Sequence, residues 1–447
     1  MSQVLKGNIS SYILKQSAVL LLGVLLMASF MLIDVYFISQ LGSEALAAVS
    51  YATPIMSLLV SLLLGIGAGI VVVVSNTAGG GNSPRLHKVL ISSFSFSLLF
   101  GFLLLFALVL GSEYLFRSLG AEGVVLEQLL AYFDVLSMGM FFLCLLVAFT
   151  SLARALGNHK LLTYTMLVLV AVNALLDPLL IFGYLGFPQL GIAGAAWATT
   201  IAIMLSMWVP VPYLLQQFPR QAKSWKVRDF MEWRQIMAMA FPIALANMLV
   251  PLGNTFFVRM LSTFGDDAVA AYGAGSRIDM LVIFSFTALT AVLAPFVGQN
   301  LGAGQPERAQ KGVNSGLSYV FLLGVVAALL ATFYRGEISA VFATEDTVGT
   351  ALGDYLSIVP WGYAANGFVM VSLTVINVYQ KPWWATSLAI CHICLFYLPL
   401  TYMASELHSF EGVLAAYPVS HMMAAGVSYY LLSRLRSHKM MEVEFSG

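Results

Sequence analysis

The stretch Gly79-Gly80-Gly81-Asn82-Ser83-Pro84-Arg85-Leu86-His87-Lys88 recurs, in altered form, as Gly302-Ala303-Gly304-Gln305-Pro306-Glu307-Arg308-Ala309-Gln310-Lys311. Each copy is a polar, glycine-rich break between long apolar runs, and the two lie about 220 residues apart. At the same offset Asp34-Val35-Tyr36-Phe37-Ile38 falls on Asn254-Thr255-Phe256-Phe257-Val258, and Ala47-Ala48 on Ala270-Ala271. Tyr132 with Gly139 echoes Tyr355 with Gly362, and Pro178 echoes Pro399. The chain therefore reads as one unit written twice, a pattern that must be found before any fold is assigned.

Outward from these breaks the sequence is apolar. Of 447 residues, 60% are hydrophobic and 9% are charged, against roughly 25% charged in ordinary soluble domains. A bilayer core of ~30 Å needs about 20 apolar residues in a helix rising ~1.5 Å per residue. Twelve such runs lie near residues 13 to 40, 48 to 75, 88 to 112, 125 to 153, 161 to 185, 190 to 216, 233 to 262, 268 to 300, 311 to 333, 350 to 380, 384 to 404 and 409 to 433. Several exceed one bilayer thickness, which implies tilt. The apolar stretch Ser17 to Ile33 is longer than the core of a secretory signal and reads as the first span.

The expected fold is an all-α polytopic membrane protein of two six-helix lobes. Residues 1–216 form the N-terminal lobe, 217–232 a cytoplasmic linker and 233–447 the C-terminal lobe with a short cytoplasmic tail. With both termini cytoplasmic, seventeen Lys and Arg residues fall inside and three, Arg117, Arg259 and Arg335, outside. This positive-inside bias would collapse if one span were missed or added. Two parallel six-helix repeats are a usual layout for alternating-access carriers, with substrate held between them.

Composition excludes several classes. A net charge of zero gives no footprint for nucleic acid. No Walker A sequence follows any glycine run, so transport energy must come from a proton or sodium gradient and no cofactor is expected. Gly65-Ile66-Gly67-Ala68-Gly69 is apolar and deep in a span, which points to close helix packing. Cys391-His392-Ile393-Cys394 mimics a metal or redox motif but sits among apolar neighbours, and packing is the expected reading. His392, His408 and His421 are read as isolated from one another, so no catalytic constellation is expected and the chain is not read as an enzyme.

Ionisable groups within spans are costly, by at least ~2.5 to 3.5 kcal/mol on insertion scales, so each is a functional candidate. Asp34 and Asp177 stand eight and nine residues before Gly42 and Gly186, which places them at one depth. Asn173 is four residues before Asp177 and shares its helix face. Pro178 leaves the carbonyl of Ala174 without its usual donor. Carboxylates, an amide oxygen and a freed carbonyl suit a hard cation such as sodium. The same acids, withdrawn from water, equally suit proton carriage. In the second half Asn254 replaces Asp34, and Leu398 and Cys394 take the places of Asp177 and Asn173, so the ionisable site is expected in the first lobe alone. Arg277 and Asp279 are two residues apart and face different ways, so each is expected to pair with other groups, with a transport role as the alternative.

Taken with Arg154-Ala155-Leu156-Gly157-Asn158, Asn173-Ala174-Leu175-Leu176-Asp177-Pro178 and Gly191-Ile192-Ala193-Gly194-Ala195-Ala196-Trp197-Ala198-Thr199, these motifs resemble the multidrug and toxic compound extrusion family, in its DinF-like branch. The resemblance covers nearly the whole chain. It implies a V-shaped, monomeric pair of lobes in the bacterial cytoplasmic (inner) membrane, exporting organic cations and other amphiphiles in exchange for protons or sodium. Asp34, Asn173, Asp177 and Thr199 then match the branch's cation network, where substrates also compete, and would hold sodium if sodium is the ion. Thr150 falls where relatives often carry an asparagine, which makes it a substrate contact by analogy. Relatives often bear a proline early in the first helix, whereas Ser11 to Ile33 contains none. Asn254 and Cys394 disfavour a branch coupling sodium through second-lobe acids, so a proton antiporter working through Asp34 is the favoured reading. A lipid-linked precursor flippase of the same superfamily is the alternative, although it would call for more basic residues than Arg277.

Overall fold

The computed structural model of the chain describes residues 2–81, 83–217, 230–342 and 346–444. The described residues are helical apart from turns and short connections, with no strand among them. Twelve long helices follow one another: α1 (Ile9–Ser39), α2 (Ser43–Gly79), α3 (Ser83–Ser118), α4 (Gly123–Ala155), α5 (Lys160–Phe182) and α6 (Ile192–Gln217) in the first half. The second half holds α7 (Phe230–Leu261), α8 (Asp266–Gly302), α9 (Pro306–Phe333), α10 (Thr347–Val378), α11 (Pro382–Glu406) and α12 (Phe410–Glu444). The first eleven are long and apolar enough to cross a bilayer. The twelfth is as long but more polar, carrying Tyr417, Ser420, His421 and Ser428 in its span.

The repeat is written in the backbone as well as in the sequence. Gly42 and Gly265 open α2 and α8 with φ of 106° and 99°, and Gly81 and Gly304 in the glycine-rich breaks both have φ of 69°. Both pairs are 223 residues apart (265 − 42 and 304 − 81). A side chain at such φ is strained, so glycine is retained where the turn repeats. Packing repeats too: α4 lies against α2, α3 and α6, and α10 against α8, α9 and α12. In both halves the fourth helix is thus the centre of its bundle.

By compactness the chain divides into a first unit, Ala18–Phe241, and a second, Ser2–Ser17 with Pro242–Gly447. This division falls inside α1 and inside α7, whereas sequence reading places the lobe boundaries before α7 and leaves α1 whole. Local contacts explain the difference. In the first unit the Trp233 indole N–H donates to Ser95 Oγ (3.1 Å) and its ring meets Phe96, which fastens the start of α7 to α3. In the second, the Arg308 guanidinium donates to the carbonyls of Val4 and Gly7 at the end of the short helix Ser2–Lys6. Most of the expected linker, residues 218–229, lies outside the described residues.

Close helix packing rests on small residues. A Cβ on Gly67 would meet Ser151 Oγ at 2.7 Å, and one on Gly69 would meet the backbone of Ala240 at 2.8 Å. The Gly65–Gly69 run is a packing surface, as its apolar setting implies.

Candidate functional site

In the first unit, α1 and α5 run one way and α4 and α6 the other. Asp34 is five residues from the end of α1 and Asp177 five from the end of α5; Thr199 is seven residues into α6 and Tyr132 nine into α4. At ~1.5 Å per residue these offsets are about 8 to 14 Å, so four helices bring their polar groups to one level. The helices end sooner than Gly42 and Gly186, so the acids lie nearer the ends of α1 and α5 than the ~12 to 14 Å expected from those glycines.

Small residues make this convergence possible. Gly194, Ala195, Ala196 and Ala198 on α6 are buried, and Gly194 lies directly on the backbone of Leu180 in α5. Gly139 on α4 lies against Thr200 of α6, where a Cβ would meet Oγ1 at 2.7 Å. With α6 drawn in on both sides, Thr199 reaches Asn173: the amide Nδ2 donates to Thr199 Oγ1 (3.4 Å) and, one turn along, to Asp177 Oδ1 (3.0 Å). Asn173 and Asp177 have no solvent exposure. Asp34 is half-buried, close enough for its charge and that of Asp177 to act on each other and on the Tyr132 hydroxyl.

Charge and hydrogen bonding are out of balance here. Asp34 Oδ1, Asn173 Oδ1 and Asp177 Oδ2 are all buried, and none receives a hydrogen bond from another protein group among the described residues. A buried acceptor without a donor costs about 1 to 3 kcal/mol, more when charged. Three in one cluster, two of them on carboxyl groups, form a surface of unmet acceptors complementary to a proton or a small cation.

Not every residue expected here is part of the cluster. Thr150 lies eighteen residues beyond Tyr132 on α4, about 27 Å along the helix. Its hydroxyl donates to the carbonyl of Leu146 (2.9 Å) in its own helix. The structure does not bring it to the pair of acids.

The second unit holds a buried acid of a different kind. Asp279 on α8 is 7% exposed, and both its oxygens are occupied: the Tyr355 hydroxyl donates to Oδ2 (2.5 Å) and the Tyr363 hydroxyl to Oδ1. Gly275, one turn before Asp279, lies directly beneath the Tyr355 ring. Asn366 Nδ2 donates to the Tyr417 hydroxyl (2.8 Å), and Gly362 leaves room for the Tyr417 ring. Tyr355 is the repeat equivalent of Tyr132. The central helix of each unit therefore offers the same tyrosine to an acid, from α1 and α5 in one unit and from α8 in the other. Arg277, two residues before Asp279, is exposed. Sequence reading singles out Asp279 and names Tyr355 only as the echo of Tyr132; it does not pair the two or find Tyr363, and the available signal is Gly275, a gap on the same helix face. One expectation is corrected: the rings of His392 and His421 are not isolated but have centroids 4.3 Å apart. A π-helical turn over Cys391–Tyr397 and the crossing of α11 and α12 bring them together, which spacing in sequence does not reveal.

The family model described as MatE matches residues 20–179 and 242–403, one segment in each half. The chain belongs to the MatE family. It is therefore a membrane transporter and not an enzyme. Similar curated proteins include the FAD transporter of Shewanella oneidensis, 32% identical over 97% of this chain and 96% of the relative. The probable multidrug resistance protein YoeA of Bacillus subtilis is 27% identical over 85% of this chain and 84% of its own. Among solved structures, the Vibrio cholerae MATE transporter VcmN in the bent form is 26% identical with a TM-score of 0.90, covering 97% of this chain and 98% of that one. As a MatE-family member the chain has twelve spans in two six-helix halves, so the polar α12 counts as a span despite its composition.

Proposed function

We propose that this MatE-family transporter is a cation-coupled antiporter, driven by protons, that exports organic cations and amphiphiles across the bacterial cytoplasmic membrane by alternating access. Both termini face the cytoplasm in this reading, as the distribution of Lys and Arg supports. Asp34, Asn173, Asp177 and Thr199 form the site where coupling ion and substrate exclude each other. The observation that carries this is the set of buried acceptor oxygens without donors on Asp34, Asn173 and Asp177. A proton on either carboxyl group supplies a donor and removes a charge; a cationic substrate supplies charge instead. Binding one weakens the case for the other, which is the differential affinity that antiport requires. Sodium is the alternative ion, held by the same oxygens and the Thr199 hydroxyl.

A second reading of the substrate has its own support. The relative described as an FAD transporter matches at 32% over nearly the whole chain, whereas relatives described as multidrug proteins match at 23 to 27%. A dinucleotide carries pyrophosphate, which the acids of the first unit would repel unless neutralised. The test loads proteoliposomes with either a cationic dye or FAD and imposes a pH gradient or a sodium gradient separately. Dye movement under the pH gradient alone is the expected result. Movement of FAD but not dye would assign the second substrate, and dependence on sodium would reassign the ion.

A further inference from the structure

Among the described residues, no cation is paired with the carboxyl group of Asp279. The groups that face it are Tyr272 on its own helix, Tyr355 and Tyr363 on α10, Tyr397 on α11 and Tyr417 on α12, all of which feel its charge. Arg277 on α8 is exposed on another face, and His392 and His421 lie beyond Tyr417, with the His421 ring 4.2 Å from the Tyr417 ring. An ion pair is the usual way to keep a carboxylate within a span; here two phenol O–H groups donate to its oxygens instead.

The cage is closely packed. Tyr355 is 2% exposed, Tyr363 fully buried and Asp279 itself 7% exposed. Two irregular turns adjoin it. The Tyr363 and Tyr417 hydroxyls are near enough to act on one another, α10 is broken by a tight turn over Val359–Gly362, and α11 by its π-helical turn. Such interruptions recur at functional sites.

We propose that Asp279 with Tyr355 and Tyr363 is a second proton-binding site, located in the second unit and loaded and unloaded during transport. It rests on the reading of the chain as an ion-coupled carrier. A proton adds to Oδ1, which then donates to the Tyr363 oxygen. The Tyr363 O–H turns from Oδ1 to the Tyr417 oxygen, which already accepts from Asn366, while Tyr355 stays on Oδ2. The O–H groups of Asp279, Tyr355 and Tyr363 each have an acceptor, the net change is one proton gained, and a donor reverses direction on α10.

The test combines infrared titration of purified protein with transport in proteoliposomes. One component of the titrating carboxylic-acid band is expected to be present in wild type and in Asp34→Asn, absent in Asp279→Asn and displaced in Tyr363→Phe, while the component that Asp34 contributes stays in Asp279→Asn. In Asp279→Asn, dye uptake driven by a pH gradient falls at least about fivefold while dye exchange at equal pH stays within about twofold. Retention of the full wild-type carboxyl titration in Asp279→Asn overturns the proposal, as does an equal loss of exchange and driven uptake, which marks a structural role. If Asp279→Asn does not fold, Tyr363→Phe carries both readouts under the same criteria. Failure of the underlying antiport reading looks different, since wild type would then show no gradient-driven uptake at all.

Discussion

Two buried acid sites face equivalent tyrosines in the two halves of this transporter, yet they are satisfied in opposite ways. Around Asp34 and Asp177 three acceptor oxygens have no donor, whereas both oxygens of Asp279 accept tyrosine hydroxyls. The first arrangement is costly until a proton or cation arrives, and the second is complete without one. Duplication supplied one scaffold, with the fourth helix of each unit at its centre. What diverged is which helix contributes the acid and whether donors were built in beside it.

This contrast is open to attack by substitution. The largest effect is expected from Asp34→Asn, which removes a charge and leaves an amide that no longer exchanges protons; pH-driven dye uptake in proteoliposomes should drop to the protein-free background. Asp177→Asn leaves Asp34, the acid assigned the coupling role, in place. It should weaken cationic-substrate binding about tenfold, or ~1.4 kcal/mol, as read by titration calorimetry. In the second unit Tyr355→Phe deletes a donor to a buried carboxylate and should lower unfolding stability by about 1.5 to 3 kcal/mol, seen as a reduced melting temperature in detergent. Tyr132→Phe, at the equivalent place, removes no hydrogen bond to an acid and should shift melting much less; equal shifts would erase the contrast. The smallest effects concern space: Gly275→Ala pushes on the Tyr355 ring and should cost about 1 to 3 kcal/mol, while Gly273→Ala, with nothing near its added methyl, should be nearly neutral.

Much of this was legible in the sequence, for reasons that differ by residue. The spans and the duplication were legible because membrane insertion demands long apolar runs, and tight turns keep glycine at Gly42, Gly81 and their echoes. Asp34, Asn173 and Asp177 were legible because a carboxyl group in a span is expensive and a spacing of four fixes a helix face. Thr199 entered through family resemblance alone, since its link to Asn173 depends on how far Gly194 lets α6 approach α5. Thr150 shows the limit of analogy: its helix carries it about five turns from Tyr132, a distance that follows from counting residues along α4. The tyrosine cage was not legible, because Tyr355 and Tyr363 meet Asp279 across 76 and 84 residues of chain. The pairing of His392 with His421 likewise depends on a π-helical turn for which the local residues give no distinct pattern.

The claim that unmet acceptors in the first unit are the coupling site is tested most directly by proton release on substrate binding. Purified protein in weakly buffered detergent solution is mixed with a cationic substrate while the pH is followed. Release of protons by wild type and by Asp279→Asn, with none from Asp34→Asn, is the predicted result. Undiminished release from Asp34→Asn, with substrate still bound, would contradict it.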